Sequence, residues 1–393
     1  MSPMEAQLRR SEEKPKLEVR AHISVPDMGN VPSRMLLSED AFVSMLYLER
    51  RRAERARNRF VLVLVDVRDN LTGSGRERTV QALTKALNEA TRETDIIGWY
   101  VENNLMGVIG TELGKACNEV VQKRFLEKLR AIFDITLGRE KSASIFVSFH
   151  FFPEETSQGP DEDHTANIKL YPEFKKRENA RKIPLAVKRG IDVLGSAAAL
   201  CLLSPVFGAV ALAIKLTSRG PVLFKQQRLG QHGKRFTVLK FRSMRTDCDA
   251  KIHQQYVEQF IAGQVDGEKG QAEKLVFKIQ KDPRITPIGR FIRKTSLDEL
   301  PQFWNVLCGE MSLVGPRPPV PYEYKAYDLW HRRRVLEIKP GITGLWQVEG
   351  RSRTKFDDMV RLDLKYARAW SLWLDIKILA QTPAAVIMGE GAH

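Results

Sequence analysis

Cysteine is scarce: four residues in 393 (Cys117, Cys201, Cys248 and Cys308), with no C-x-x-C pair among them. That excludes a disulfide scaffold, argues against a structural zinc and points to a reducing compartment. Acidic side chains are in deficit, 48 Asp plus Glu against 63 Lys plus Arg, leaving a formal charge of +15. Such an excess implies a polyanionic neighbour: nucleic acid, phosphorylated substrates or an anionic membrane face. Aromatic platforms among the basic residues are missing, which argues against nucleic acid. Residues 1–20 contain no apolar stretch, so no signal peptide is expected and the first half should stay in the cytoplasm. What remains is ordinary for a globular chain, 43% apolar and 28% charged. Its length predicts two to three domains.

Residues 1–35 are polar and read as a mobile tail. Then Glu39–Arg57 reads as a helix, and the β-branched run FVLVLVDV (60–67) as a buried strand. Arg76–Thr91 reads as a helix with Val80, Leu83, Leu87 and Ala90 on one face. Asp95–Tyr100 and Leu105–Gly110 read as a strand hairpin, Val120–Phe133 as a helix and Ala143–Phe152 as a strand. The order is βαββαβ-like, an α+β sandwich over 36–155. The polar, acidic stretch near 159–167 places a linker at 156–180.

The second half, 181–393, opens with Lys188-Arg189 and a run, Val193 to Ile214, that has no charged side chain. As a straight helix it would extend roughly 33 Å, enough to cross a bilayer. Ser204-Pro205 interrupts it, however, and proline removes a helical hydrogen bond. Basic residues flank it on both sides, and positive charge stays on the cytoplasmic side. A re-entrant hairpin over 188–217 satisfies both facts, with Ser204 compensating backbone freed by Pro205. A spanning helix and a buried core helix are the alternatives.

Basic residues then recur in order. Phe236–Met244 reads as a strand with Lys240 and Arg242 on one face, suited to a phosphate or diphosphate, or else to a solvated edge. Asp298 and Glu299 are adjacent carboxylates shortly after Arg290, Arg293 and Lys294. At a turn they can offer one nucleophile and one metal ligand; equally, such a pair can satisfy a helix start. Arg317 stands in a stiff proline frame, S-L-V-G-P-R-P-P. The glycines of K-P-G-I-T-G-L-W-Q-V (339–348), which holds Gln347, permit close backbone approach. Arg351 and Arg353 follow.

Two resemblances rest on these residues. Residues 40–152 resemble the diguanylate cyclase family: Asp66 stands in its first metal-carboxylate strand. Where that family carries its G-G-D-E-F turn, this chain has Val101, Glu102, Asn103 and Asn104. The loss of glycines and of a metal carboxylate implies a domain without cyclase activity, serving regulation, self-association as a homodimer, or partner docking. Residues 182–393 resemble the bacterial sugar transferases, the monotopic polyprenyl-phosphate phosphoglycosyl transferases. The likeness lies in K-R-x-x-D, the Ser-Pro hairpin, K-F-R-S-M, L-D-E-L-P-Q-x-x-N-V-L, S-L-V-G-P-R-P and K-P-G-I-T-G-x-W-Q-V. The four-helix bundle of larger members has no counterpart, because nothing upstream is apolar enough.

The expected fold class is therefore α/β (α+β): a cyclase-like sandwich, a membrane re-entrant helix hairpin and a small α/β catalytic domain. The second resemblance implies transfer of a sugar-1-phosphate from a UDP-sugar to undecaprenyl phosphate at the cytoplasmic face of the inner membrane. It implies Asp298 as nucleophile and Glu299 as the Mg²⁺ ligand. Arg228, Lys240, Arg242, Arg293, Arg317, Gln347 and Arg351 are then the candidates for holding phosphates and nucleotide. Competing readings are a D-x-D glycosyltransferase, using Asp247-Cys248-Asp249 or Asp161-Glu162-Asp163, and a non-enzymatic membrane scaffold.

Overall fold

A computed structural model describes residues 35–68, 76–154, 166–245, 257–261, 284–350 and 355–387. The tail expected over 1–35, but for its last residue, both D-x-D triplets and Arg351 lie outside the described residues. In the first half, α1 (Glu39–Ala56) precedes β1 (Phe60–Asp66), α2 (Arg76–Ala90), β2 (Ile96–Val101), β3 (Leu105–Gly110), α3 (Asn118–Leu137), α4 (Arg139–Ala143) and β4 (Phe146–Phe152). The strands form one antiparallel sheet in the order β2-β3-β1-β4. Alternation along β1 explains its apolar run. Val61, Val63 and Val65 pack with Leu83 and Leu87 of α2 and with Leu129 and Phe133 of α3. Phe60, Leu62 and Leu64 pack with Phe42 and Leu46 of α1. Both faces are covered, and each buried Val or Leu contributes about 1.5–3 kcal/mol. Residues 139–143 are helical in α4, so the final strand opens at Phe146 rather than at Ala143. The β2–β3 turn is tied down from outside: the Glu102 N–H donates to the Glu39 carboxylate at 2.8 Å.

The described part of the expected linker is folded. A 3-10 turn (Ile168–Leu170) leads into α5 (Pro172–Ala180). Leu170, Tyr171 and Phe174 join the α1 side of the core, as does Leu336 from the second half. Arg50, wholly buried, donates to the Leu170 carbonyl and pairs with Glu173. Residues 166–180 are therefore packed against the first half, and both halves belong to one compact unit beginning at Leu36.

The apolar run forms α6 (Lys182–Leu202) and α7 (Ser204–Thr217), which meet at a bend of 59°. Among the described residues no single helix is long and apolar enough to cross a membrane. The bend follows from Pro205. A residue there would donate its N–H to the Cys201 carbonyl, four positions back; proline cannot, and the Ser204 hydroxyl donates to that carbonyl at 2.8 Å. Leu194, Leu202, Leu212 and Leu216 are exposed on the pair.

The basic residues before α6's apolar stretch are not a free flank. Lys188 is buried and donates to Asp375 Oδ2 at 2.7 Å and to the Val314 carbonyl at 3.0 Å. Arg189 donates to the carbonyls of Val306 and Leu307 at 2.6 and 2.8 Å. Asp192 accepts from Ser312 Oγ and the Leu313 N–H at 3.0 and 2.9 Å. K-R-x-x-D thus fastens the first arm of the elbow to the rest of the second half.

That half continues with β5 (Leu223–Leu229) antiparallel to β6 (Arg235–Phe241), then α8 (Pro287–Lys294), α9 (Gln302–Cys308), β7 (Ser312–Val314), α10 (Pro321–Ala326) and α11 (Leu329–Glu337). β8 (Gly341–Thr343) runs parallel to β7, followed by α12 (Leu345–Glu349), α13 (Phe356–Ala369) and α14 (Leu372–Ile387). Phe236, Val238, Val306, Met311, Leu345, Tyr366 and Trp370 share its core.

Candidate active site

Asp298 and Glu299 lie on a 3-10 turn (Leu297–Glu299) between α8 and α9, both half-buried. The apolar residues around them place the turn. Leu297 and Leu300 pack with Ile292 of α8, Phe241 of β6 and Val210 and Ile214 of α7. The acidic pair is therefore anchored to the second arm of the elbow. Ser296, just before it, holds a left-handed backbone (φ 56°), which sets the direction in which the turn leaves α8.

Strand β6 brings the first cation. Lys240 Nζ is 2.8 Å from Glu299 Oε1. Asn305, the asparagine of L-D-E-L-P-Q-x-x-N, fixes the strand against α9. Its Oδ1 accepts from the Leu239 N–H at 3.1 Å and its Nδ2 donates to the Thr237 carbonyl at 2.7 Å.

The loop after β7 brings the second. Gly341 N donates to the Pro316 carbonyl at 2.9 Å and Gly315 N to the Thr343 carbonyl at 2.8 Å. A Cβ on Gly341 would stand 2.0 Å from Gly315 N, so only glycine permits this crossing. Arg317 projects from the crossing. Its carbonyl accepts from Arg334 Nη2 at 3.2 Å, and Arg334 is itself buried against Asp363 at 2.6 Å. Arg228 is buried too and donates to the Pro318 carbonyl at 2.5 Å. Burial, and then the charge of Arg317, draws its guanidinium down to about 10.

A small cleft of about 30 Å³ collects these groups: Arg228, Lys240, Glu299, Gln302, Arg317 and Gln347 line it, with Val238, Pro318, Gly341 and Ile342. Gln347 Oε1 is buried with no hydrogen-bond partner among the described residues. Not every expected residue reaches the cleft. Arg242 follows the end of β6, is buried, and donates to the hydroxyl and carbonyl of Ser218 at 2.6 and 2.9 Å. It caps the end of α7 rather than sharing a phosphate with Lys240. Arg293, on α8, does not line the cleft. Gln302, Asn305 and Arg334 were not singled out from the sequence. The signal for the first two was a polar residue placed in the apolar helix Q-F-W-N-V-L; for Arg334, inside the basic run H-R-R-R, there was none.

Glu299 lines the cleft among fixed cations, whereas Asp298, its neighbour on the turn, is not among the lining residues. A carboxylate among cations, beside an elbow of apolar helices, suits a phosphorylated substrate met at an apolar surface. The chain belongs to the bacterial sugar transferase family, which it matches over residues 183–389. It is 46% identical over 212 residues to galactosyl transferase CpsE of Streptococcus agalactiae, covering 53% of this chain and 44% of that one. It is 43% identical over 217 residues to an undecaprenyl-phosphate galactose phosphotransferase of Salmonella typhimurium, covering 54% and 43%. The chain thus spans less than half the length of these two relatives. A diguanylate cyclase (DGC) protein structure from Thermotoga maritima aligns with 31% of this chain and 86% of its own, at 18% identity and a TM-score of 0.26. That likeness is too slight to assign the first half.

Proposed function

We propose that this protein transfers a sugar-1-phosphate from a UDP-sugar to undecaprenyl phosphate, for polysaccharide synthesis. The observation that carries the reading is the turn holding Asp298 and Glu299 opposite Lys240, with Arg317 on the same cleft, inside the part that matches the family. The names of relatives as phosphotransferases acting on undecaprenyl phosphate support it.

In this reading an Asp298 carboxylate oxygen attacks the phosphorus that bears the sugar. The phosphorus–oxygen bond to UMP breaks, UMP leaves with the bonding pair, and the phosphosugar stays on Asp298. An oxygen of undecaprenyl phosphate then attacks the same phosphorus and frees the aspartate. Splitting the transfer lets a soluble donor and a lipid acceptor use one site in turn. Lys240 and Arg317 offset the repulsion between an attacking carboxylate and a diphosphate. Gln347 orients the donor, and Arg228 holds the Pro318 loop.

Among the described residues no three acidic, His or Cys side chains gather as a metal cage. The donor set fits Mg²⁺ all the same, since that ion is commonly held by one or two carboxylates together with substrate phosphates. Glu299 would hold it, and when bound it neutralises phosphate charge. The elbow of α6 and α7 enters the cytoplasmic leaflet by its exposed leucines and returns. Released nucleotide tests the reading: purified protein with undecaprenyl phosphate and a panel of UDP-sugars should yield UMP, whereas UDP would mark a glycosyltransferase and no product a scaffold.

A further inference from the structure

A second cavity, about 560 Å³, lies where α1 of the first half meets α11 and α13 of the second. It shares no lining residue with the cleft of Lys240, Glu299 and Arg317. Two rows of cations line it. Arg51 and Arg55 are four apart on α1; Arg361, Lys365 and Arg368 are four and three apart on α13. Those spacings put each row on one helix face. Like charges in such a row repel, and here one row faces another across a cavity. The compensation is partial. Glu54 pairs with Arg51 at 3.2 Å, Asp358 with Arg361 at 3.0 Å, and Glu349 reaches Lys365 only at 3.9 Å. Arg55 and Arg368 are exposed and form no ion pair among the described residues. The lining therefore carries an excess of positive charge that suits a multivalent anion.

The remaining wall narrows the class of that anion. Trp330 of α11 lines the cavity, with Leu364 and Ala369 the other apolar members. An indole beside cations suits a nucleobase carrying phosphates. The volume falls within the range of small-ligand pockets, about 300–1,000 Å³. We propose that this cavity binds a multiply phosphorylated nucleotide, its phosphates between the cationic faces of α1 and α13 and its base against Trp330. The site joins the two halves of the chain, and α11 also carries Arg334, which holds the Arg317 carbonyl.

Isothermal titration of the full-length protein in detergent with ATP, GTP and inorganic tripolyphosphate tests this. At least one nucleotide should bind, and tripolyphosphate more weakly. Arg55→Glu with Arg368→Glu should weaken nucleotide binding at least about tenfold, whereas Lys240→Gln should not. Arg55→Gln with Arg368→Gln keeps part of the side-chain stems and should weaken binding in the same direction, which guards against misfolding. Trp330→Leu should weaken the nucleotide and spare tripolyphosphate. The proposal is overturned if no nucleotide binds, if tripolyphosphate binds as tightly as both nucleotides, or if the paired arginine variants bind like the wild type. None of these readouts requires transferase activity.

Discussion

Lys240 Nζ sits 2.8 Å from Glu299 Oε1 and joins strand β6 to the turn that bears the acidic pair. The two side chains are 22% and 36% exposed, so the contact contributes at most about 1 kcal/mol to stability. Its value is in position: in the proposed reaction the ammonium is held where the donor's diphosphate would arrive.

Lys240→Gln is therefore expected to separate stability from catalysis. Chemical unfolding should shift by less than about 1 kcal/mol, while kcat/KM for the sugar donor should fall about 100-fold. Equal small effects on both would return Lys240 to the role of a surface charge.

Asp192 should behave in the opposite way. Its carboxylate accepts two hydrogen bonds from β7 and is almost wholly buried. Asp192→Ala leaves a buried hydroxyl and a buried N–H without their acceptor and should cost about 3 kcal/mol. The effect is read as a lower unfolding midpoint in detergent; an unchanged midpoint would show that K-R-x-x-D does not fasten the elbow.

His150 gives a pH dependence to the first half. Burial, and then the nearby Lys169 charge, lowers its imidazole to about 4, and Asn167 and Ser148 bond its two ring nitrogens. An unfolded histidine titrates near 6.5, so the unfolded chain binds more protons in between. The stabilising effect is complete above pH 6.5 and is lost as the pH falls toward 4; by pH 5 the loss is about 2 kcal/mol. Urea unfolding at pH 7 and pH 5 should show it, and His150→Gln should remove it. A variant retaining the full pH slope would assign the effect elsewhere.

What the sequence made legible were local patterns with a period. The FVLVLVDV run is a strand buried on both faces because valines point to one side and Phe60, Leu62 and Leu64 to the other. Ser204-Pro205 is a break because proline has no N–H, and the serine compensates as its position suggests. The motif glycines at 315 and 341 are a close crossing. What stayed hidden was the partner of each charge. A lysine ahead of an apolar run looks the same whether it meets lipid phosphate or, as Lys188 does, an aspartate 187 positions away. Arg242 alternates with Lys240 as though on one strand face, but the strand ends at Phe241 and the arginine turns to Ser218. The polar stretch that leads into and through α5 hid three aromatic and aliphatic anchors, Leu170, Tyr171 and Phe174, whose burial depends on a core assembled elsewhere.

In the proposed reaction Asp298 carries the phosphosugar. Full-length protein incubated with a UDP-sugar radioactive in its β-phosphate, with Mg²⁺ and without lipid acceptor, should become labelled. Asp298→Asn should abolish the label and cut turnover by orders of magnitude. The label should chase onto undecaprenyl phosphate when that is added. Unlabelled wild-type protein with ternary-complex kinetics, or an Asp298→Asn variant that turns over near normally, would contradict the account.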